Sequence, residues 1–176
     1  MKYVLTGSHG TGKTTIINSI YDWLEEKNIK PIINSSSARK IKQSGRLIND
    51  DGDDMVQMIV NSSHVVNFRE DNWFADRCII DSFSYAVYQY KIGKVSKSVY
   101  DISLHTVKQF ACLYDKIFYV PIEFPLTKDE ERKDEVNFQR EIDSIITSTI
   151  SDLRLSVVQI NGGVEERIET IKKHIL

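Results

Sequence analysis

Cysteine is scarce in this chain of 176 residues: Cys78 and Cys112 are too few for a disulfide framework and show no metal-ligand spacing. Long apolar runs are missing too, and nothing approaches the roughly 20 residues needed to span a membrane. There is no excess of one charge, since 23 Lys and Arg face 25 Asp and Glu for a net charge of −2. That balance removes a general basic surface as evidence for nucleic acid, without excluding a local patch. Internal repeats, linkers and low-complexity segments are absent. The N-terminus lacks the charged start and cleavage site of a signal peptide, so the expected location is cytoplasmic. What is present is a 41% hydrophobic and 27% charged composition, enough for a real core in one domain spanning 1–176 and no case for disorder.

The apolar residues fall into alternating short strands and helices. Lys2 to Thr6 reads as a buried strand, followed by a glycine-rich turn and a helix from Lys13 carrying Ile16, Ile17, Ile20, Trp23 and Leu24 at helical spacing. Pro31 to Ile33 reads as a second strand, and strand–helix–strand in so short a span is a βαβ unit with parallel pairing. Met55, Ile59, Ser62, Ser63 and Val66 mark one face of a middle helix, with Asp53 or Asp54 at its start. Trp73 to Ala75 is a short strand ending in Asp76, residues 82–91 and 97–113 are helical, and Lys116 to Val120 is a strand stopped by Pro121. Ile142 to Ile150 is a helix, Leu155 to Ile160 a last strand, and Ile168 to Ile175 a terminal helix. The expected architecture is α/β, three-layered, around a parallel sheet of about five strands.

Gly7-Ser8-His9-Gly10-Thr11-Gly12-Lys13-Thr14 satisfies the phosphate-loop pattern G-x-x-x-x-G-K-[ST] at every required position. Its glycines, Gly7, Gly10 and Gly12, let successive N–H groups turn inward around a phosphate, and the helix that follows adds its positive end. Lys13 then reaches the β- and γ-phosphates of ATP, and the Thr14 hydroxyl ligates Mg²⁺. His9 and Thr11 occupy the free positions of the loop, and Thr15 is a candidate for the α-phosphate.

A second constellation follows the third strand, Asp76-Arg77-Cys78-Ile79-Ile80-Asp81-Ser82-Phe83-Ser84-Tyr85. A carboxylate at the carboxyl end of a parallel strand lies where such sheets bind ligands. Asp76 is placed to accept a proton from an attacking hydroxyl or to order water on Mg²⁺, and Arg77 to bridge donor and acceptor phosphates. Asp81 and Tyr85, four apart, share a helical face and offer a hydrogen-bond acceptor and an aromatic wall to an acceptor's sugar or base. A rival register makes Cys78-Ile79-Ile80 the strand and Asp81 its terminal carboxylate.

GSHGTGKTT, SSSARKI, DRCIIDSFSY, KIFYVP and ERKDEVNFQREID together resemble the small P-loop kinases of the NadR-like, AAA-type family, related to the ribosylnicotinamide kinase domain of NadR and including many phage nucleotide kinases. The DRCIIDSFSY stretch is also similar to the DRY-x-x-S-x-x-A-Y-Q segment of thymidylate kinases, with Cys78 in place of the tyrosine. The resemblance implies a nucleoside monophosphate kinase-like fold and phosphoryl transfer from ATP. By the same resemblance Lys13, Thr14, Asp76, Arg77 and Arg132 match positions used for phosphate, metal or catalysis, and Arg39 an arginine near the acceptor. Ser36 or its neighbour stands where many relatives have Glu. It also implies that the charged run at about 126–135 is a lid inserting Arg132, and that Asn161-Gly162 lies against adenine.

The expected function is Mg-ATP-dependent phosphoryl transfer to a nucleoside or (deoxy)nucleoside monophosphate. Two alternatives stand beside it: a kinase for nicotinamide riboside or a modified base or terminus of DNA, and an ATP-hydrolysing switch domain. The oligomeric state is not readable from the chain.

Overall fold

The computed structural model describes residues 1–33, 53–124 and 136–175. The chain begins with β1 (Lys2–Thr6), the phosphate loop, α1 (Lys13–Ser19), α2 (Tyr21–Glu26) and β2 (Lys30–Ile32). Then come α3 (Asp54–Val66), β3 (Trp73–Ala75), α4 (Ile79–Lys91) and α5 (Lys97–Phe110). The last elements are β4 (Lys116–Tyr119), α6 (Val136–Asp152), β5 (Val157–Gln159) and α7 (Val164–Ile175). All pairings are parallel and the strand order is β2-β3-β1-β4-β5, so β1 lies at the centre.

The two faces of the sheet carry separate cores because successive side chains alternate. Val4, Trp73, Ala75, Ile117 and Tyr119 pack against Ile79, Ile80, Phe83, Val107, Ile142 and Ile146 on one face. Their neighbours Tyr3, Leu5, Phe74 and Phe118 pack against Ile16, Ile17, Leu24 and Ile171 on the other. Being buried on both sides, the strands read as continuous apolar runs, as parallel strands do. The expected three-layer α/β sandwich is thus present, with α4, α5 and α6 above the sheet and α1, α2 and α7 below.

Several boundaries differ from the sequence reading. The first helix has a kink at Ile20 (φ −109°, ψ 10°), yet the Ile20 and Leu24 amides still reach Ile16 O and Ile20 O, so α1 and α2 form one rod. The helix expected at 82–91 starts three residues earlier, and Cys78-Ile79-Ile80 is no strand, so the rival register is not realised. Asp53 is the cap of α3, accepting from the Val56 amide at 2.9 Å. The face of α3 expected to be buried is turned outward: Met55, Ile59 and Val66 are exposed, whereas Val56, Gln57, Asn61 and His64 are buried. Two of those polar groups, Gln57 and Asn61, are matched against α4 and α5. Gln57 Nε2 donates to Ser82 O at 2.9 Å, and Asn61 Nδ2 to Thr106 Oγ1 at 3.3 Å. Periodicity finds the helix, but hydrogen bonding decides its buried side. The lid expected at about 126–135, with Arg132, and the segment holding Arg39 lie outside the described residues. Among the described residues no helix is long and apolar enough to cross a membrane.

Candidate functional site

The phosphate loop leaves β1 at Gly7, whose φ of +148° and close approach to the next strand demand glycine. A Cβ at this position would lie 2.4 Å from the carbonyl oxygen of Val120. Gly10 (φ +75°) and Gly12 (φ +90°) supply the other left-handed turns. Gly12 stands at the N-terminal cap of α1 and offers no side-chain cap, and the first turn carries no acidic residue. The positive end of the helix is therefore not neutralised from within its own first turn. The Lys13 ammonium is buried and donates to Gly7 O at 2.6 Å, to Ser8 O and to Thr11 Oγ1 at 3.1 Å.

Because β3 pairs directly with β1, the residues after the two strands emerge side by side. Thr14 Oγ1 donates to Asp76 Oδ2 at 3.1 Å. The aspartate–arginine pair therefore faces the loop at the carboxyl edge of the sheet rather than lying elsewhere. Arg77 packs its guanidinium over the Tyr85 ring at 5.9 Å. Burial pulls its pKa down, but the neighbouring Tyr85, Asp81 and Asp76 outweigh that and raise it, so the group stays a cation.

Asp81 differs from the expectation of a ligand-facing acceptor. It is 1% exposed, and its oxygens take the Cys78 amide at 3.0 Å, the Cys78 thiol at 3.3 Å, the Gly7 amide at 3.4 Å and Arg77 Nη1 at 3.5 Å. It closes a capping box on α4 and ties that helix to the loop. Tyr85 is half-buried, its hydroxyl 3.4 Å from His9 Nδ1, so it does stand beside the loop. The His9 ring packs against Phe138 at 5.1 Å, tilted by 31°. Thr15 is exposed on the helix surface. After β5, Gly162 (φ +83°) gives its N–H to Glu123 Oε2 at 2.8 Å, and the Asn161 amide oxygen accepts from Gln159, so both groups are engaged by the chain itself.

Four residues that the sequence reading passed over gather at this loop, two of them bonded to its backbone. Gln139 Nε2 donates to His9 O at 2.7 Å, and Arg167 Nη1 to Thr11 O at 2.7 Å. Arg167 Nη2 also pairs with Glu123 Oε2 at 2.6 Å, and this bond holds the Glu123 carboxyl below its ordinary pKa. Asp143 accepts from the Tyr119 hydroxyl at 2.9 Å and lies near Lys13 and the Ser8 amide. Burial raises its pKa, against the opposing pull of Tyr119, Lys13 and Ser8. A signal for two of them existed: Gln139 shares the buried stripe of Ile142 and Ile146, and Arg167 that of Ile171, polar groups where apolar ones are expected.

Residues 2–167 match the model of an AAA domain family. The chain belongs to that family. No curated protein matches the sequence. Among solved structures, deoxyadenosine kinase from M. mycoides with products dCMP and dCDP bound superposes with a TM-score of 0.72 at 14% identity, covering 99% of this chain and 98% of that one. NadR in complex with NR gives a TM-score of 0.72 at 17% identity over 97% of this chain and 50% of its own, so this family member spans about half of NadR. The YorR protein of Bacillus subtilis in complex with phosphorylated GDP gives 0.61 at 15%, covering 98% and 94%. At these identities the likeness is one of fold, that of the small P-loop kinases.

Proposed function

We propose that this AAA-domain protein transfers the γ-phosphoryl group of ATP to a nucleoside or (deoxy)nucleoside monophosphate. The observation that carries the reading is the 3.1 Å hydrogen bond between Thr14 and Asp76, which joins the donor loop to a carboxylate at the end of the neighbouring strand. The loop and Lys13 bind the donor's phosphates. Asp76 orients the acceptor hydroxyl and accepts its proton, and Arg77, kept cationic, neutralises charge on the moving group. Tyr85, beside His9 and under the Arg77 guanidinium, supplies a wall on the acceptor side. Catalysis of this kind comes from positioning and electrostatics.

The Thr14 hydroxyl and Asp76 carboxylate are hard oxygen donors that suit Mg²⁺, an ion bound by few protein groups together with substrate phosphates. When bound, Mg²⁺ would supply charge neutralisation on the donor's phosphates. Such a kinase acts in nucleotide metabolism in the cytoplasm, where ATP is at hand.

Incubation with γ-labelled ATP and a panel of nucleosides, nucleotides, nicotinamide riboside and oligonucleotides tests the reading. Label on a nucleoside or nucleotide is the expected result. Label on nicotinamide riboside or an oligonucleotide alone, or release of phosphate alone, overturns it in favour of another kinase or a switch domain.

A further inference from the structure

The loop's own backbone is gripped by side chains from both helical layers. Gln139, 2% exposed on α6, donates to His9 O, and Arg167, 3% exposed on α7, donates to Thr11 O, both at 2.7 Å. The two helices lie on opposite faces of the sheet, since Ile142 and Ile146 of α6 belong to one core and Ile171 of α7 to the other. In a planar trans peptide the C=O and N–H point in opposite directions. Fixing His9 O toward Gln139 therefore aims the Gly10 N–H away from α6, and fixing Thr11 O toward Arg167 aims the Gly12 N–H away from α7. Both amides belong to positive-φ glycines (+75° and +90°), which are otherwise the freest residues of the loop. A built Cβ on Gly12 would sit 3.6 Å from Arg167 Nη1, so the guanidinium lies directly against this peptide.

We infer that Gln139 and Arg167 are positioning residues that aim the Gly10 and Gly12 amides at the donor's phosphates, one side chain for each amide. The inference rests on the phosphate-binding reading of the loop. Anchoring both carbonyls before the ligand arrives removes peptide-plane freedom that would otherwise be lost on binding. Glu123 completes the arrangement on one side by holding Arg167 Nη2.

The chain has only eight glycines, so selective ¹⁵N-glycine labelling gives a spectrum in which each loop amide can be followed. Titration with ATP and with inorganic tripolyphosphate is expected to move the Gly10 and Gly12 protons downfield in the wild-type protein. In Gln139→Met the Gly10 response is lost and that of Gly12 stays. In Arg167→Met the pattern reverses, and Arg167→Lys restores the Gly12 response. Each Met variant is expected to weaken tripolyphosphate binding by about tenfold, the worth of one hydrogen bond near a charged ligand. Unchanged glycine responses in folded Met variants overturn the inference, as does loss of both responses together in either one. If Arg167→Met does not fold, Gln139→Met alone decides. A wild-type protein whose glycine amides ignore both ligands sinks the phosphate-binding reading itself, a result distinct from the other two.

Discussion

Asp76 and Asp81 are both 1% exposed, yet their oxygens are committed differently. Asp81 is surrounded by donors of its own chain, three of them from its own helix start and one from the loop. Asp76 bonds to the hydroxyl of Thr14, a group that phosphate loops use for metal and phosphate. Asp76 is the carboxylate in direct contact with the hydroxyl expected to meet the donor's metal and phosphates. Asp76→Asn is thus expected to lower turnover by about 10²-fold or more while ATP affinity stays near wild type, checked by steady-state kinetics beside equilibrium binding. Lys13→Ala is expected to lose at least about 10²-fold in turnover with any acceptor, because its ammonium is the charge in contact with the loop's interior. His64 makes a prediction of another kind. Burial lowers its pKa from 6.5 to about 4, with Asp81 pulling upward and Arg77 downward. The folded form is then the weaker base, so as the pH falls the unfolded chain takes up its proton first. Stability is present in full above pH 6.5 and declines toward pH 4, by about 3 kcal/mol from this group. Urea midpoints at pH 7 and 4.5 measure it, and His64→Gln should remove that part of the acid slope.

At the scale of elements, the fold was largely legible and the details of packing were not. Each strand and helix announced itself through contiguous apolar residues or helical spacing, since local conformation follows from nearby side chains. α3 is the exception that shows the limit. Its apolar residues Met55 and Ile59 face outward, because the neighbouring α4 presents Ser82, and Gln57 meets it. An amphipathic pattern assumes a wholly apolar partner, and here the partner presents Ser82 among its apolar residues. The turn after β1 shows the opposite case, a position where sequence and structure agree on one residue. Gly7→Ala forces a Cβ to within 2.4 Å of a backbone oxygen that cannot move without β4. It is expected to cost more than about 2 kcal/mol and to abolish ATP binding. Gly93→Ala is the control: φ is also positive at +75° but nothing lies within 4 Å, so a cost of about 1–2 kcal/mol with binding intact is expected. Urea titration and ATP binding of the two variants check both.

For the whole molecule, the consequence of a loop held by α4, α6 and α7 is that ligand binding and global stability are linked. ATP at 100 times its dissociation constant should stabilise the native state by about 2.7 kcal/mol. For a chain of this size that is a rise of about 5–10 °C in the thermal midpoint, which Lys13→Ala should largely lose in a calorimetric scan. The same linkage marks the boundary between what could be read from the chain and what could not. The sequence by itself determined the phosphate loop, the alternation of strands and helices and the pairing of Asp76 with Arg77, because each is written in a few consecutive residues. Only the tertiary structure decided that Asp81 turns inward, that α3 buries Gln57, Asn61 and His64 beside Val56, and that Gln139 and Arg167 reach loop carbonyls 130 and 156 residues away in the chain. Those contacts depend on the strand order β2-β3-β1-β4-β5, which brings distant helices to one edge of the sheet. Side-chain spacing repeats every two or 3.6 residues and carries no record of that order.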